Sequence, residues 1–288
     1  MSEVKVAALN YYPIKSCGGI EANEVTFTEL GIEHDREWML VGKNGQFLSR
    51  RTHPGLAIVQ TRIENETLFV EAPYMGRLAV PLEQDESAEV IGVDLFKKHG
   101  TGTVVGAEAN DYFSVYLDKD VRLIQVKQPR QIKPECRVDG ASEVTGFADG
   151  YQMSLTSTLS LEALNRVLEN PVAMSRFRPN IVVEGARAYD EDYWREFQIG
   201  KLAAHVVRAN AKCPIPNIDQ NVGVLTKHRP VTEALRATRQ GVDPVNDSTG
   251  EFFGVYLTHV YEPGLTVRVG DTVEVTARSA TRNFALST

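Results

Sequence analysis

Apolar and polar residues alternate over short spans through the N-terminal third of the chain. The stretches "VKVAALNYY" (4–12), "ANEVTFTEL" (22–30), "EWMLVGKNGQFLSRR" (37–51), "LAIVQTRIENETLFVEA" (56–72) and "SAEVIGVDLF" (87–96) carry this period-two pattern. It predicts strands with one face buried. Asn44-Gly45 predicts a hairpin turn, because both residues tolerate positive φ, and Glu64-Asn65-Glu66 predicts a second. Helical spacing is rarer. "GAEANDYFSVYLDK" (106–119) puts Ala109, Phe113, Tyr116 and Leu117 on one face. "TSTLSLEALNRVLEN" (156–170) repeats leucine at 159, 161, 164 and 168, with Ser157 or Thr158 available as N-cap. "RPVTEALRATRQG" (229–241) predicts a short surface helix stopped by Gly241. The strand pattern then returns in "FQIGKLAAHVVRAN" (197–210), "FFGVYLTHVYEPG" (252–264) and "LTVRVGDTVEVTA" (265–277). Without a regular βαβα alternation, the expected class is mainly β, built from barrel or sandwich modules with a few helices.

One stretch breaks the pattern. Residues 127–150, "KQPRQIKPECRVDGASEVTGFADG", mix proline, glycine and charge with little periodicity. It is either a junction between two modules or a long functional loop. The expected division is 1–126, 127–279 and a tail, 280–288. A length of 288 residues suits one large or two modest domains. The formal net charge of −7 argues against an electrostatic nucleic-acid binder, which needs a basic face. "MSEVKVAALNYYPIKSC" has no apolar run of signal-peptide length, and no segment has the run of about 18 apolar residues that predicts a membrane helix. Three widely spread cysteines, Cys17, Cys136 and Cys213, form no C-x-x-C. Neither a disulfide framework nor a structural zinc site is expected, and a reducing, cytoplasmic setting is.

Several motifs carry candidate chemistry. "GTGTVVG" (100–106) imitates a dinucleotide fingerprint, but its third glycine is late and no βαβ unit surrounds it, so a hairpin leading into a helix is expected. The six histidines show no metal-ligand spacing. In "YYPIKSCGGI" (11–20), Lys15 and Ser16 precede Gly18-Gly19, a set suited to an anion such as phosphate or simply to a solvated turn. Arg36 lies between Asp35 and Glu37, and Arg50-Arg51 end the next hairpin strand. They read as surface ion pairs or as a fork for an oxyanion. In "SRFRPNIVVEG" (175–185), Pro179 favours an extended Arg178, so Arg178 and Asn180 point the same way. In "ANAKCPIPNIDQ" (209–220), Cys213 follows Lys212 and precedes Pro214 and Pro216, with Asp219 in the polar loop beyond. A neighbouring cation favours a thiolate able to ligate a soft metal; a buried, inert cysteine is the plain alternative.

These pieces occur together in one order: "YPIKSC" (12–17), "DREW" (35–38), "RRTHP" (50–54), "LTSTLSLEALN" (155–165), "FRPNIVV" (177–183), "KCPIPNID" (212–219), "FFGVY" (252–256) and "VRVGDTVEV" (267–275). The set resembles the MOSC family, and within it the two-part molybdoenzymes related to the mitochondrial amidoxime-reducing component. The resemblance covers nearly the whole chain. It implies an N-terminal MOSC β-barrel-like domain and a MOSC β-barrel domain, with a molybdopterin cofactor (Mo-molybdopterin) between them. Cys213 matches the molybdenum ligand of the family and would be the catalytic residue. Lys15, Ser16, Arg36 and Arg178 match positions that hold the phosphate end of the pterin; Arg51, Asn180 and Lys212 lie in motifs lining the same pocket, and Asp219 is a further pocket candidate. Family descriptions also carry pyridoxal phosphate binding.

The implied activity is two-electron reduction of N-hydroxylated or other N-oxygenated small molecules. Some bacterial relatives carry a fused ferredoxin domain. With no cysteine after Cys213, a separate electron-donor protein is expected here, with no nucleic-acid or membrane partner. The chain departs from the pattern at Ala211-Lys212, where relatives have Ser-Arg, and in "PIPNID", where the amidoxime-reducing branch has threonines. Asp149-Gly150-Tyr151 replaces an Asp-Thr-Ser pattern, leaving backbone amides or the Tyr151 phenol for any phosphate contact. A cofactor or sulfur carrier, with a persulfide on Cys213 and no redox turnover, is the competing expectation. A third is a protein of the same fold that has lost the cofactor.

Overall fold

The computed structural model describes residues 3–95 and 98–286. Phe96, the end of one expected strand, and residues 287–288 of the expected tail lie outside the described residues.

The alternation in the C-terminal half builds a curved sheet. Its strands run in the order Ile20–Ala22, Lys5–Tyr11, Ile181–Glu184, Met153–Ser157, Ser248–His259, Leu202–Ala211, Trp194–Ile199 and Val273–Arg278. All neighbouring pairs are antiparallel except Met153–Ser157 with Ile181–Glu184, which is parallel. The sheet curls until its ends meet: Val6 N–H donates to Asp271 O, Gly270 to Val6 O and Val273 to Val4 O, at 2.8–2.9 Å. A closed sheet leaves no long edge to aggregate. Its interior packs Leu9, Leu155, Ile181, Trp194, Phe197, Val255 and Leu257 into one core. Val25, Phe27 and Ile32 belong to that core too, since Glu24–Thr28 pairs with Thr266–Arg268. The first residues of the chain therefore complete the C-terminal barrel.

His259, fully buried, locks this arrangement. Its Nε2 contacts Thr28 O at 2.9 Å, which makes it the protonated nitrogen, and its ring lies 5.5 Å from Phe27. Burial pulls its pKa down to about 4 from 6.5. The unfolded chain takes up this proton near pH 6.5 and the folded chain resists until about 4. Stability is then full above pH 6.5 and falls by about 3 kcal/mol as the pH drops towards 4. Urea unfolding across that range should show the loss, and His259→Asn, which keeps a donor, should flatten the profile.

The N-terminal half forms two smaller sheets around a second core. One runs Trp38–Gly42, Val121–Gln128, Lys98–Val104 and Val90–Leu95; the other is Gln60–Glu64, Thr67–Glu71 and Arg77–Pro81. Helix α1 (Ala107–Leu117) buries Ala109 and Phe113 against them, as its spacing predicts. The predicted turns form: Gly45 has φ 68°, and Asn65 and Glu66 have φ 48° and 57°, the two left-handed residues of a tight hairpin. The glycine-rich 100–106 stretch is a hairpin strand leading into α1, and Gly106 has φ 145°.

Four expectations shift. After the turn at Gly45, strand pairing is limited to isolated bridges, Val41 with Phe47 and Gln46 with Asp94, and the chain then loops at 49–53, so both arginines leave the expected strand. Leu56, Ala57 and Ile58 lie in a helical turn, Pro54–Ile58, because Pro54 starts it, and the strand begins at Gln60. Helix α2 is shorter than predicted, Thr158–Asn165, with Ser157 Oγ accepting Ser160 N–H at 3.1 Å. Helix α3 spans Pro230–Arg239 and buries Val231 and Leu235, so it is only half surface. Gly241 does not stop it. That residue sits in the strand Gln240–Asp243, where a Cβ would come within 2.2 Å of Ala285 O.

Candidate functional site

One pocket lies where the two halves meet. Lys15, Ser16, Arg36, Arg51, Tyr151, Arg178, Asn180, Lys212 and Cys213 all line it. Including its open mouth it holds about 880 Å³. Most of the charged side chains come from loops at strand ends, which lets rigid strands aim flexible side chains, while Tyr256 lies within the strand Ser248–His259. Asp219 is the exception. It lies outside the lining, 3.9 Å from Arg176, and accepts the Asn221 N–H at 2.8 Å.

Three lining residues hold left-handed backbones: Ser16 at φ 75°, Arg36 at 53° and Arg178 at 54°, so Arg178 is not extended as the following Pro179 predicts, because it caps the helical turn Met174–Phe177. Such residues cost about 1 kcal/mol or more each and persist where the surroundings enforce them. Here the enforcement is visible. Arg36 N–H donates to Tyr12 O at 2.9 Å, and Arg178 Nη1 donates to Cys17 O at 2.6 Å. The Ser16 and Cys17 carbonyls also accept from Arg50, whose side chain is buried behind the loop. Of the two adjacent arginines, Arg50 therefore builds the loop and Arg51 faces the opening.

The charges are concentrated. Arg36 pairs with the buried Asp35, and Asp35 and its hydrogen bond outweigh the burial that would lower Arg36, so its pKa is raised. Arg178 is held well below its ordinary value, by burial and then by Arg50 and Arg36 nearby. Lys15 donates to Phe147 O at 2.8 Å and pairs with Asp149, which also lies 3.8 Å from Arg51. Burial would raise Asp149, but the charges of Lys15, Arg51 and Arg36 hold it below the usual carboxylate range. Arg130 anchors this loop from behind, donating to Gly146 O at 3.0 Å and to Ala148 O. Ala148 and Asp149, inside the stretch expected to be a linker or a functional loop, thus form one wall.

Asn180 spends its amide within the protein. Its Oδ1 accepts from Arg36 Nη1 at 3.0 Å and Ser154 N at 3.1 Å, and its Nδ2 donates to Asn10 O at 3.2 Å. It orients Arg36. The Tyr151 hydroxyl donates to Cys136 Sγ at 2.9 Å, so what Tyr151 turns to the pocket is its ring, 5.0 Å from the Tyr256 ring.

Cys213 follows the bulged end of Leu202–Ala211, where register shifts around Val207 and Asn210 re-aim the strand. It is half-buried and free of any disulfide. The next turn, Ile215–Asn217, is fixed by Asn217. That amide donates to Pro214 O at 3.1 Å and accepts from Val231 N at 2.9 Å, tying the cysteine loop to the start of α3. Burial pulls the Lys212 amine down to about 7, against the opposing pull of Cys213. The roles of Asn217 and Arg50 escape sequence reading, because neither residue stands out by spacing from its neighbours. Among the described residues, no cluster of three or more His, Cys, Asp or Glu forms a metal site.

Comparison with known proteins accounts for most of the chain. The MOSC N-terminal beta barrel domain matches residues 3–120 and the MOSC domain residues 142–274. The mitochondrial amidoxime reducing component 2 of Rattus norvegicus is 32% identical over 276 residues, covering 91% of this chain and 80% of that protein. The chain belongs to the MOSC family. Component 1 of Xenopus laevis is 29% identical over 284 residues, covering 93% of this chain and 81% of its own. The molybdenum cofactor sulfurase of Oryza sativa subsp. japonica is 27% identical over 280 residues, covering 90% of this chain and 33% of that protein. Between the two MOSC matches run the whole strand Val121–Gln128 and Arg130, which join the N-terminal sheet to the pocket wall.

Proposed function

We propose that this MOSC protein holds a molybdenum cofactor in the pocket and reduces N-hydroxylated small molecules, with Cys213 as the molybdenum ligand. The observation that carries the reading is the convergence of Lys15, Arg36, Arg51 and Arg178 with a free thiol in one cavity. The donor set fits the group. A buried dianionic phosphate needs several paired donors, and the four cations supply them. A half-buried cysteine between a cation and two prolines offers a sulfur at fixed geometry.

In this reading Lys15, Ser16, Arg36, Arg51 and Arg178 hold the phosphate end. Asn180 orients Arg36, the Tyr151 and Tyr256 rings form an apolar wall, and Lys212 places a proton-exchanging amine beside the reacting end. When bound, the cofactor supplies a two-electron redox centre, and the protein binds, orients and excludes water. Electrons come from a separate donor protein. The three cysteines are free, as a reducing cytoplasm would keep them. Among the described residues no helix is long and apolar enough to cross a membrane.

A carrier role is the second reading, favoured by the sulfurase likeness across 90% of the chain and by the accessible Cys213. The test is protein purified from a host that makes molybdenum cofactor. Near-stoichiometric molybdenum, with conversion of an aryl amidoxime to the amidine by a chemical reductant, is the expected result. Cofactor released readily without any reduction would favour the carrier. Absence of both would overturn the reading.

A further inference from the structure

Tyr12 is buried at the back of the pocket, 4% exposed. Two pocket guanidinium groups lie over its ring, Arg178 at 4.0 Å and Arg36 at 4.4 Å from the centroid. The ring is itself fixed at several points. Its hydroxyl donates to Pro179 O at 3.0 Å, and its backbone N–H donates to Asp35 Oδ1 at 2.8 Å. Its carbonyl accepts the Arg36 N–H at 2.9 Å. Gly19 passes so close that a Cβ there would lie 2.4 Å from Tyr12 Cε1. The second glycine of the Gly18-Gly19 pair is thus the space the ring needs.

Two like charges near one another repel, and each would gain by swinging towards a carboxylate. Arg36 has Asp35. Among the described residues Arg178 pairs with no carboxylate; its Nη1 meets the Cys17 carbonyl and its plane meets Tyr12. An aromatic face attracts a cation without cancelling its charge. A carboxylate in the same place would hold the two arginines equally well but would spend the positive potential the pocket needs for an anion.

We propose that Tyr12 is a positioning residue that holds Arg36 and Arg178 at fixed spacing, so that the empty pocket is already shaped for a phosphate group. This rests on the reading of the pocket as an anion site. The ring face performs the task and the hydroxyl only locks the ring. Burial raises the Tyr12 pKa, which keeps the phenol neutral and the cation count intact.

The test measures binding of inorganic pyrophosphate to cofactor-free protein by calorimetry, with unfolding midpoints as a control for folding. Tyr12→Leu is expected to weaken binding at least about tenfold, since one lost cation–π contact to a desolvated cation is of that order. Tyr12→Phe should stay within about twofold of the unaltered protein, because it keeps the face. Gly19→Ala, which touches neither arginine, should weaken binding by pushing the ring, and it serves if Tyr12→Leu does not fold. Unchanged affinity in Tyr12→Leu or Gly19→Ala, while the unaltered protein binds, overturns the role of Tyr12 alone. A loss in Tyr12→Phe as large as in Tyr12→Leu overturns the role of the ring face. Failure of the unaltered protein to bind pyrophosphate overturns the anion pocket, and the role of Tyr12 with it.

Discussion

Cys213→Ala is expected to lose amidoxime reduction by about a thousandfold or more, a barrier increase of about 4 kcal/mol, with no change in unfolding midpoint. The two halves of this expectation have separate causes. The thiol is half-buried and belongs to none of the core clusters, so deleting one sulfur removes little packing. Its loop is held by Pro214, Pro216 and the Asn217 amide, none of which the substitution touches. In the proposed reading the chemistry, by contrast, depends on that one sulfur. Steady-state reduction with a chemical reductant, molybdenum analysis and a thermal melt on the same preparation check all parts. Normal turnover in the variant would remove Cys213 from the site.

Arg178→Ala separates binding from stability in the opposite sense. A hydrogen bond to a charged group contributes about 1.5–3 kcal/mol, so the variant should retain its cofactor about tenfold to a hundredfold less tightly. The cofactor-free variant should nevertheless unfold no earlier than the unaltered protein. Arg178 is held well below its ordinary pKa by burial and by Arg50 and Arg36, which marks it as a strained charge until an anion arrives. Removing it relieves that repulsion. Molybdenum content after dialysis and the melting point of the apo-protein give the two readouts. Equal retention would show that Arg178 does not meet the anion.

Much of this was legible in the residues. Period-two alternation located most strands, Asn65 and the Asn44-Gly45 pair located turns, and the ordered motifs assembled eight residues that, with Tyr151, do share one pocket. Pairing over long distances was not legible. Nothing in "VKVAALNYY" says that its partners are Ile181–Glu184 and the Gly270–Val273 turn, because any alternating strand presents the same ladder of donors and acceptors. Side-chain roles set by three-dimensional neighbours were equally hidden. Arg50 and Arg51 are indistinguishable in sequence, yet one is buried under the Ser16 carbonyl and the other opens to solvent. Asp219 is the converse case, a polar residue near Cys213 in sequence and outside the pocket in space.

The closure of the C-terminal sheet by Lys5–Tyr11 also sets an order of events during synthesis. That strand is made well before Ile181–Glu184 and the Gly270–Val273 segment, which flank it in the closed sheet. The N-terminal sheets can fold on emergence, while Lys5–Tyr11 at first has only Ile20–Ala22 beside it. Lys15 and Ser16 follow directly on that strand, and Arg178 and Cys213 lie on segments made much later. The pocket therefore comes into being only when the segments carrying Lys15, Arg178 and Cys213 have all been made and have packed together.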